Sequence, residues 1–454
     1  MPSLTRPLRV LLLSYYSPPA GGPGVQRIEN LLRHLPQDIE ATVLAATLND
    51  YQELPPLCVP LDEGRFQSGH LVHRVPTGAP YRLFRFLASC RLFGVVRWVS
   101  IPDTARRWAH RAVEIACLLH QQNPFDVVFS TAPPFSVALA GRNTARRLRI
   151  PWVSDLRDLW TGYLLGAWPT RYHFRREQAL ERSVLREATV TIMVTPGSRD
   201  WMLRRHAFLS PERITCVTNG YVASDLPSAR SPVLGKLVVV HAGSLFDSGR
   251  EPLLHRLVRG RAFRPRSADP STHSLAPLFS AMKQLADPRM ELRHLGSPLD
   301  DRAREILSTS STLQRQVQVL GYRPHRETFA EVARADAAYL CLATSLDEPR
   351  NELVPQKTYE YLGSGRPVLA PIQDGDARDF LHQAGTGLLT PPYDVPSLTG
   401  SLQALLRAKL EGRPIVTPRE DFIRRFEWSH LAGRMLTILD RAASRAPQAT
   451  VCVG

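Results

Sequence analysis

Two glutamates, a lysine and a proline lie close together in the segment NELVPQKTYEYLGSGRPVLA, residues 351–370. Pro355 favours the first turn of a helix, which places Glu352 in the loop just before it. Lys357 and Glu360 are three residues apart, so they share a helix face. A loop carboxylate can bind sugar hydroxyls, a helix carboxylate can hold a ribose, and the amides between them can hold a diphosphate. The spacing is typical of a nucleotide-sugar site, although a capped helix with a surface Lys-Glu pair would share it.

Two further groups of residues follow predicted strands in the first half of the chain. Gly21, Gly22 and Gly24 stand where the first strand passes into a helix, and glycines there let the backbone approach a ligand. Three charged residues follow a later strand, namely Asp155, Arg157 and Asp158. Ligands of open parallel sheets bind at the carboxyl ends of strands, so both groups are candidate ligand contacts. The alternatives are a plain tight turn and an Arg–Asp pair that holds its own loop.

A third group opens the second half of the chain, in the segment HAGSLFDSGREP at 241–252. Gly243 and Ser244 follow a predicted strand, and the glycine permits close approach of a ligand. Arg250 could supply a guanidinium to a phosphate, or could be one more surface arginine in an arginine-rich chain. Lysine is scarce, and the four in the chain are Lys236, Lys283, Lys357 and Lys409. That scarcity singles out the lysine between the two glutamates.

The elements that position these groups are predicted by the pattern of apolar runs. Short apolar runs alternate with amphipathic stretches in both halves of the 454-residue chain, which is typical of βαβ units. A stretch rich in Pro, Ser and Gly at 222–235 interrupts the alternation and predicts an interdomain linker. We therefore predict two α/β domains with doubly wound parallel sheets, at 1–221 and 236–418. One very large sheet is the alternative. The apolar run Val10–Leu13 is interpreted as the first strand rather than as a signal peptide.

Composition narrows the class of partner. The formal net charge of +15 and the pI of about 10.0 favour anionic partners, although a genome that prefers arginine would give the same composition. The basic residues are dispersed and match no nucleic-acid-binding module, so we expect no nucleic-acid partner. No cysteines form a Cys-x-x-Cys pair, which argues against a zinc site or a disulfide framework and favours a reducing cytoplasm. The sequence has no uninterrupted apolar run of about 18 residues, so we expect no transmembrane helix.

Two segments do not fit the alternation. Residues 255–274 are basic and then polar with prolines, and we predict an exposed insertion. Residues 81–100 are apolar with interspersed arginines, and at about 100° per residue Arg82, Arg85 and Arg97 share one arc. This stretch predicts an imperfect amphipathic helix. Such a helix could lie on the anionic inner face of the cell membrane, or pack on its own domain with snorkelling arginines.

The motifs resemble those of a known enzyme family. Seven residues separate Glu352 from Glu360, which resembles the E-x7-E motif of retaining GT-B glycosyltransferases of the family-4 (group 1) type. The segment PQKTYEYLGSGRPVLA resembles that family's Pro-x-Lys-x-x-Glu-Tyr-Leu pattern, and YYSPPAGGPGVQR resembles its acceptor-side glycine loop. The motifs DLRDLW, NGY, HAGSL, LGY and FEWSHLAGRMLTIL follow in the expected order. The resemblance covers roughly residues 9–439.

The resemblance implies an architecture and a reaction. Two Rossmann-like domains would face each other across a cleft, with the acceptor on the N-terminal domain and a nucleotide diphosphate-sugar on the C-terminal one. A helix at 419–442 would cross back to the first domain, with 443–454 as a tail. The acceptor would be a hydroxyl of a glycan or lipid-linked sugar in cell-envelope polysaccharide or glycolipid synthesis. A nucleotide-sugar epimerase on the same fold and a non-catalytic transferase-like binding partner are the alternatives.

The resemblance also implies roles for individual residues. Glu352 would contact the donor sugar, Glu360 the ribose and Arg250 the diphosphate. The amides of Leu353 and Val354 would also face the phosphates. No metal ion or other cofactor is expected, because basic residues and helix dipoles usually neutralise the diphosphate in this fold.

Two departures from the family pattern matter. Many relatives carry an arginine and a lysine after the strand that opens the second domain, but here Arg250 has no lysine nearby. Lys357 is therefore expected to share the phosphate role. Many relatives also carry a histidine at the strand end that here gives Asp155. We therefore take Asp155 as the catalytic candidate on the acceptor side.

Overall fold

The chain folds into two compact units. The first unit contains the described residues up to Thr218, a short segment that ends at Pro265, and the chain from Leu431 onward. The second contains the described residues between Asn219 and Leu253, and the chain from Arg266 to His430. The computed structural model describes residues 7–18, 23–36, 38–47, 50, 70–78, 98–226, 235–246 and 262–445.

The first unit is built on a parallel seven-stranded sheet. Its strands are β1 (Leu8–Ser14), β2 (Ile39–Ala46), β3 (Leu71–Val75), β4 (Val127–Ala132), β5 (Trp152–Leu156), β6 (Val190–Met193) and β7 (Ile214–Cys216), in the spatial order β3-β2-β1-β4-β5-β6-β7. Its helices are α1 (Pro23–Arg33), α2 (Arg106–Gln122), α3 (Ser136–Leu148), α4 (Arg171–Glu187) and α5 (Pro196–Arg205). Strands β4 and β5 are buried along their whole length, and both begin with the apolar residues that predict them.

The second unit is built on a parallel six-stranded sheet with the order β11-β10-β8-β12-β14-β15. Its strands are β8 (Leu237–Gly243), β10 (Met290–Gly296), β11 (Val317–Gly321), β12 (Ala337–Tyr339), β14 (Val368–Pro371) and β15 (Gly387–Thr390), and β9 (Ala268–Asp269) pairs antiparallel with β13 (Thr344–Ser345). Its helices are α6 (Ala276–Leu285), α7 (Asp301–Ser308), α8 (Ser311–Gln316), α9 (His325–Arg334), α10 (Gln356–Ser364), α11 (Asp376–Gln383), α12 (Val395–Leu410) and α13 (Glu420–Ile423).

The last helix, α14 (Trp428–Ala443), begins in the second unit and is part of the first from Leu431 onward. Leu431, Met435 and Leu439 are buried on it, and the Arg434 guanidinium donates to the Cys216 carbonyl at 2.7 Å. None of the helices in the described part of the chain is long and apolar enough to cross a membrane.

The predicted alternation of strands and helices is confirmed, with two differences. Strand β3 was not predicted, because its sequence LVHRV carries two polar residues and one face is only partly buried. The predicted exposed insertion at 255–274 is wrong for its described part, since Arg266, Thr272 and Ser274 are buried and β9 pairs with β13 there. Within 81–100, residues 81–97 lie outside the described residues, as do 227–234 of the predicted linker.

Helix α3 packs against the first sheet through Gly141. A Cβ built at Gly141 would lie 2.5 Å from Trp152 Nε1 and 2.6 Å from Ser130 Oγ. These two groups already form a buried hydrogen bond of 2.8 Å with each other. The sequence therefore needs a glycine inside this helix, although glycine disfavours helix formation.

We expect Gly141→Ala to destabilise the protein by about 1–3 kcal/mol, because the new methyl group must displace a buried tryptophan. Gly400 is the matched control, since it also lies inside a helix but a Cβ built there meets nothing within 4 Å. Gly400→Ala should raise the free energy of unfolding by about 0.5–1 kcal/mol. Urea denaturation of both variants tests the contrast, and equal effects would contradict it.

Candidate active site

The carboxyl end of β8 meets helix α10 in the second unit. Gly243 ends β8 with φ of 113°, and a Cβ built on it would lie 3.7 Å from Lys357 Nζ. Gly296 ends the neighbouring β10, and a Cβ there would lie only 2.0 Å from the Gly243 carbonyl oxygen. Gly243 and Ser244 are exposed, so a ligand can reach the backbone beside the lysine.

Lys357 is held by a buried histidine. Its Nζ lies 2.9 Å from His241 Nε2, and His241 Nδ1 lies 3.0 Å from His294 Nδ1. His294 Nε2 in turn lies 2.7 Å from the Ser297 carbonyl oxygen. Burial lowers the pKa of Lys357, and it lowers the pKa of His241 well below its ordinary value, with the lysine charge acting in the same direction. Both histidines are thus disfavoured as cations.

Glu352 forms a buried ion pair with Arg266, whose guanidinium donates to its carboxylate. Both residues are 7% exposed. Arg266 also donates to Ser345 Oγ at 3.5 Å, and its Nε lies 4.0 Å from the Asp347 carboxylate. The pairing of β9 with β13 brings Arg266 to this position, because Ala268 lies opposite Ser345.

Glu360 lies on α10, as predicted, and its carboxylate contacts His325 Nε2 at 2.7 Å. His325 opens α9, which follows β11. Pro355 directly precedes α10 instead of occupying its first turn, which still leaves Glu352 in the preceding loop. The Leu353 amide donates to Asn351 Oδ1 at 3.0 Å, and the Val354 side chain is buried. The predicted phosphate contact of the Leu353 amide would have to replace that bond.

Asp155 lies at the carboxyl end of β5 and is completely buried. Arg27 binds both of its oxygens, through Nε at 2.9 Å and Nη2 at 2.7 Å, and Thr131 Oγ1 donates to it at 2.6 Å. Arg27 also donates to the carbonyls of Val217 and Thr218 at 2.9 Å each. This geometry favours the alternative of an Arg–Asp pair with a structural role, with Arg27 as the partner instead of Arg157. The predicted catalytic role would require the pair to open.

Arg157 and Asp158 lie beside this pair and are partly buried. The Arg157 guanidinium donates to Thr131 Oγ1 at 2.9 Å and to the Pro133 carbonyl, and a Cβ built at Gly24 would lie 3.2 Å from it. Burial lowers the pKa of Arg157 and raises the pKa of Asp158. The structure therefore brings Gly24 together with the charged loop.

Three predicted site residues, namely Gly21, Gly22 and Arg250, lie outside the described residues. Five contacting residues were not predicted, namely Arg27, His241, Arg266, His294 and His325. Three of them were visible as polar residues at or near strand ends, since His241 and His294 lie near the ends of β8 and β10 and His325 follows β11. The partners of Glu352 and Asp155 are 86 and 128 residues away in sequence, so no local pattern joins them. No group of three or more His, Cys, Asp or Glu residues in the described ranges could hold a metal ion.

A family model matches the first half of the chain. Residues 21–220 match a family described as a glycosyl transferase 4-like domain. This match confirms the resemblance drawn from the motifs. No curated protein sequence matches the chain.

Solved structures resemble the whole chain. Sucrose-phosphate synthase from Thermosynechococcus elongatus aligns over 96% of this chain and 98% of its own, with 16% identity and a TM-score of 0.61. Anabaena HepE, solved in complex with UDP, aligns over 96% and 100%, with 15% identity and a TM-score of 0.57. A UDP-N-acetylglucosamine 2-epimerase aligns over 99% and 100%, with 12% identity and a TM-score of 0.55. At these identities the likeness establishes the fold, which is GT-B.

We expect Arg27→Met to destabilise the protein by about 3–5 kcal/mol, because it leaves the Asp155 charge buried without its partner. The exposed pair of Arg9 and Glu40, 3.1 Å apart, provides the control. Arg9→Met should cost less than about 1 kcal/mol. Urea denaturation measures both, and a cost for Arg27→Met as small as the control would contradict the structural role of the pair.

Proposed function

We propose that this chain is a glycosyltransferase that moves a sugar with retention from a nucleotide diphosphate-sugar to a hydroxyl acceptor. Its glycosyl transferase 4-like domain and its GT-B fold support the proposal. The observation that carries the proposal is the arrangement around α10. Glu352 precedes this helix, Lys357 and Glu360 lie on it, and the exposed backbone of Gly243 lies beside the lysine.

In this proposal the second unit binds the donor. Glu360 accepts hydrogen bonds from the ribose hydroxyls, and Lys357 and the amides at the start of α10 balance the diphosphate. Charge grows on the diphosphate as the glycosidic bond breaks, so a fixed ammonium stabilises the transition state more than the ground state. The leaving phosphate takes the acceptor proton on the same face. Glu352, restrained by Arg266, orients the sugar and is not a nucleophile. The proposal requires no metal ion.

The main rival is an epimerase of the same fold, since one of the similar structures is a UDP-N-acetylglucosamine 2-epimerase. The two reactions differ in their products. A transferase consumes donor in proportion to acceptor, whereas an epimerase inverts a sugar centre without any acceptor. Incubation with UDP- and GDP-sugars, followed by mass spectrometry and NMR of the sugar, separates them, and inversion without acceptor would overturn the transferase proposal. A non-catalytic partner would give neither product.

We further propose that the acceptor is a glycan or lipid-linked sugar at the cytoplasmic face of the cell membrane. Support comes from the exposed side of α4, which carries five arginines, namely Arg171, Arg175, Arg176, Arg182 and Arg186. At one end of this helix, Trp98 and Tyr172 pack around His173 while remaining 53% and 64% exposed. Exposed aromatic side chains beside arginines are typical of surfaces that bind anionic lipid headgroups. Arg82, Arg85 and Arg97, the basic residues first considered, lie outside the described residues.

We expect Glu360→Ala to weaken UDP or GDP binding by about 1.5–3 kcal/mol, because the ribose loses a charged acceptor. Glu352→Gln is the matched comparison, since it removes the neighbouring carboxylate of the same motif. It should leave nucleotide affinity unchanged and lower turnover with the sugar donor. Calorimetry with the free nucleotides and a transfer assay measure the two effects.

Unchanged affinity of Glu360→Ala for both nucleotides would contradict the ribose assignment. Turnover of Glu352→Gln within a few-fold of wild type would contradict the sugar contact. Urea denaturation of both variants checks that the fold is retained, because Glu360→Ala removes the partner of His325 and Glu352→Gln removes the charge paired with the buried Arg266.

We expect the protein to sediment with vesicles that contain anionic lipid at low salt and to be released at high salt, because each basic side chain at such a surface contributes about 1 kcal/mol. Replacing Arg171, Arg175 and Arg176 by glutamine should then lower the affinity by about 100-fold. The control replaces three exposed arginines of the second unit, Arg302, Arg304 and Arg315, and should leave most of the binding. Equal losses, or no binding to anionic vesicles at low salt, would contradict the proposed surface.

A further inference from the structure

The hydrogen bonds behind Lys357 have a defined direction. The Ser297 carbonyl can only accept, so His294 Nε2 carries a proton. In a neutral imidazole the other nitrogen is then an acceptor, so His294 Nδ1 accepts from His241 Nδ1. His241 Nε2 is left as an acceptor, and it accepts from the Lys357 ammonium at 2.9 Å, with the Cys341 thiol as a second, weaker donor whose Sγ lies 3.8 Å away. This assignment satisfies all three contacts with two neutral histidines and one charged lysine.

A neutral acceptor distinguishes Lys357 from two other lysines of the same unit. Lys409 donates to the Asp336 carboxylate at 2.5 Å, and Lys236 donates to Glu291 at 3.4 Å. A carboxylate cancels the charge of the lysine that it holds, whereas an imidazole holds the ammonium and leaves its charge uncancelled. Within the described ranges no carboxylate forms an ion pair with Lys357, and its Nζ lies beside the exposed Gly243. The positive charge therefore remains available to a ligand at that corner.

We propose that His241 and His294 are positioning residues, whose fixed tautomers hold the Lys357 ammonium through a neutral acceptor and so direct its full charge to the diphosphate of the donor. The inference rests on the proposed function, because it takes the ligand at Gly243 to be a nucleoside diphosphate. It adds that two buried histidines determine the pH at which Lys357 loses its charge.

The sign of the pH effect follows from the hydrogen bond. Burial lowers the pKa of Lys357, and a hydrogen bond accepted by His241 favours the charged form and opposes that decrease. Removing the acceptor should therefore lower the lysine pKa further, so that the charge is lost at a lower pH. Other titratable groups lie near the hydrogen-bonded series of Lys357, His241 and His294. None of them is replaced in any variant, and they are His273, Asp300, Tyr339, Cys341 and Tyr361.

The experiment measures the affinity for UDP and GDP, and for UMP and GMP, by calorimetry between pH 6 and pH 10. Wild type should bind the diphosphate more tightly than the monophosphate and lose this preference at the alkaline end. In His241→Phe the loss should begin about one pH unit lower, and in His241→Gln, whose amide oxygen can accept, it should return toward wild type. Lys357→Arg should keep the preference throughout, because the guanidinium stays charged. Lys409→Met is the control and should follow wild type.

The outcomes separate this inference from the proposed function. A wild type that binds no nucleoside diphosphate overturns both. If wild type and His241→Phe both prefer the diphosphate and lose this preference at the same alkaline pH, the inference is overturned and the proposed function is not. If His241→Phe does not fold, ¹⁵N NMR of the wild-type histidines decides between the tautomers. Protons on His241 Nδ1 and His294 Nε2 near pH 7 support the assignment, and a proton on His241 Nε2 overturns it.

Discussion

The structure depends on one constraint, which is that charge buried at the carboxyl edge of a parallel sheet must be matched. Parallel strands end at the same edge, and polar residues placed there are partly removed from water by the helices and loops around them. Among the described residues, three carboxylates at or near this edge have an arginine or histidine partner, in the pairs Arg27–Asp155, Arg266–Glu352 and His325–Glu360. These pairs fix the loops and helices that carry the candidate site. Replacing a single member therefore changes both local charge and local structure.

The partners differ in a way that sorts the residues by role. Asp155 is bound on both oxygens by a guanidinium that is itself saturated by backbone carbonyls, which is the pattern of a structural pair. Glu352 and Glu360 are also paired, but they lie in the same turn-and-helix segment as Lys357, next to an exposed stretch of backbone. Lys357 is held by a histidine instead of a carboxylate. Proximity to an accessible surface, together with the kind of partner, distinguishes the candidate donor contacts from the structural ones.

The sequence predicted the features that depend on local order. Strands β4 and β5 are buried throughout, β8 is buried except for its last residue, Gly243, and the apolar runs within these strands reveal them. The places of Glu352, Lys357 and Glu360 around one helix follow from their spacing alone. Their partners could not be predicted, because Arg266 and His325 reach the motif only when β9 pairs with β13 and when α9 packs against α10. Strand β3 was missed since its half-exposed, partly polar sequence gives a weaker pattern than a fully buried strand.

The scarcity of lysine gives the candidate donor corner a chemical consequence. An amine whose pKa is lowered by burial keeps a larger uncharged fraction at neutral pH, and the uncharged amine is the nucleophile that reacts with aldehydes and activated esters. The chain has only three other lysines to compete with it, and two of them are ion-paired. A nucleotide analogue with an aldehyde near its phosphates would therefore form a Schiff base preferentially at Lys357. The Lys357 amine, which we propose binds the diphosphate of the donor, would thus also be a site for selective covalent labelling of the protein.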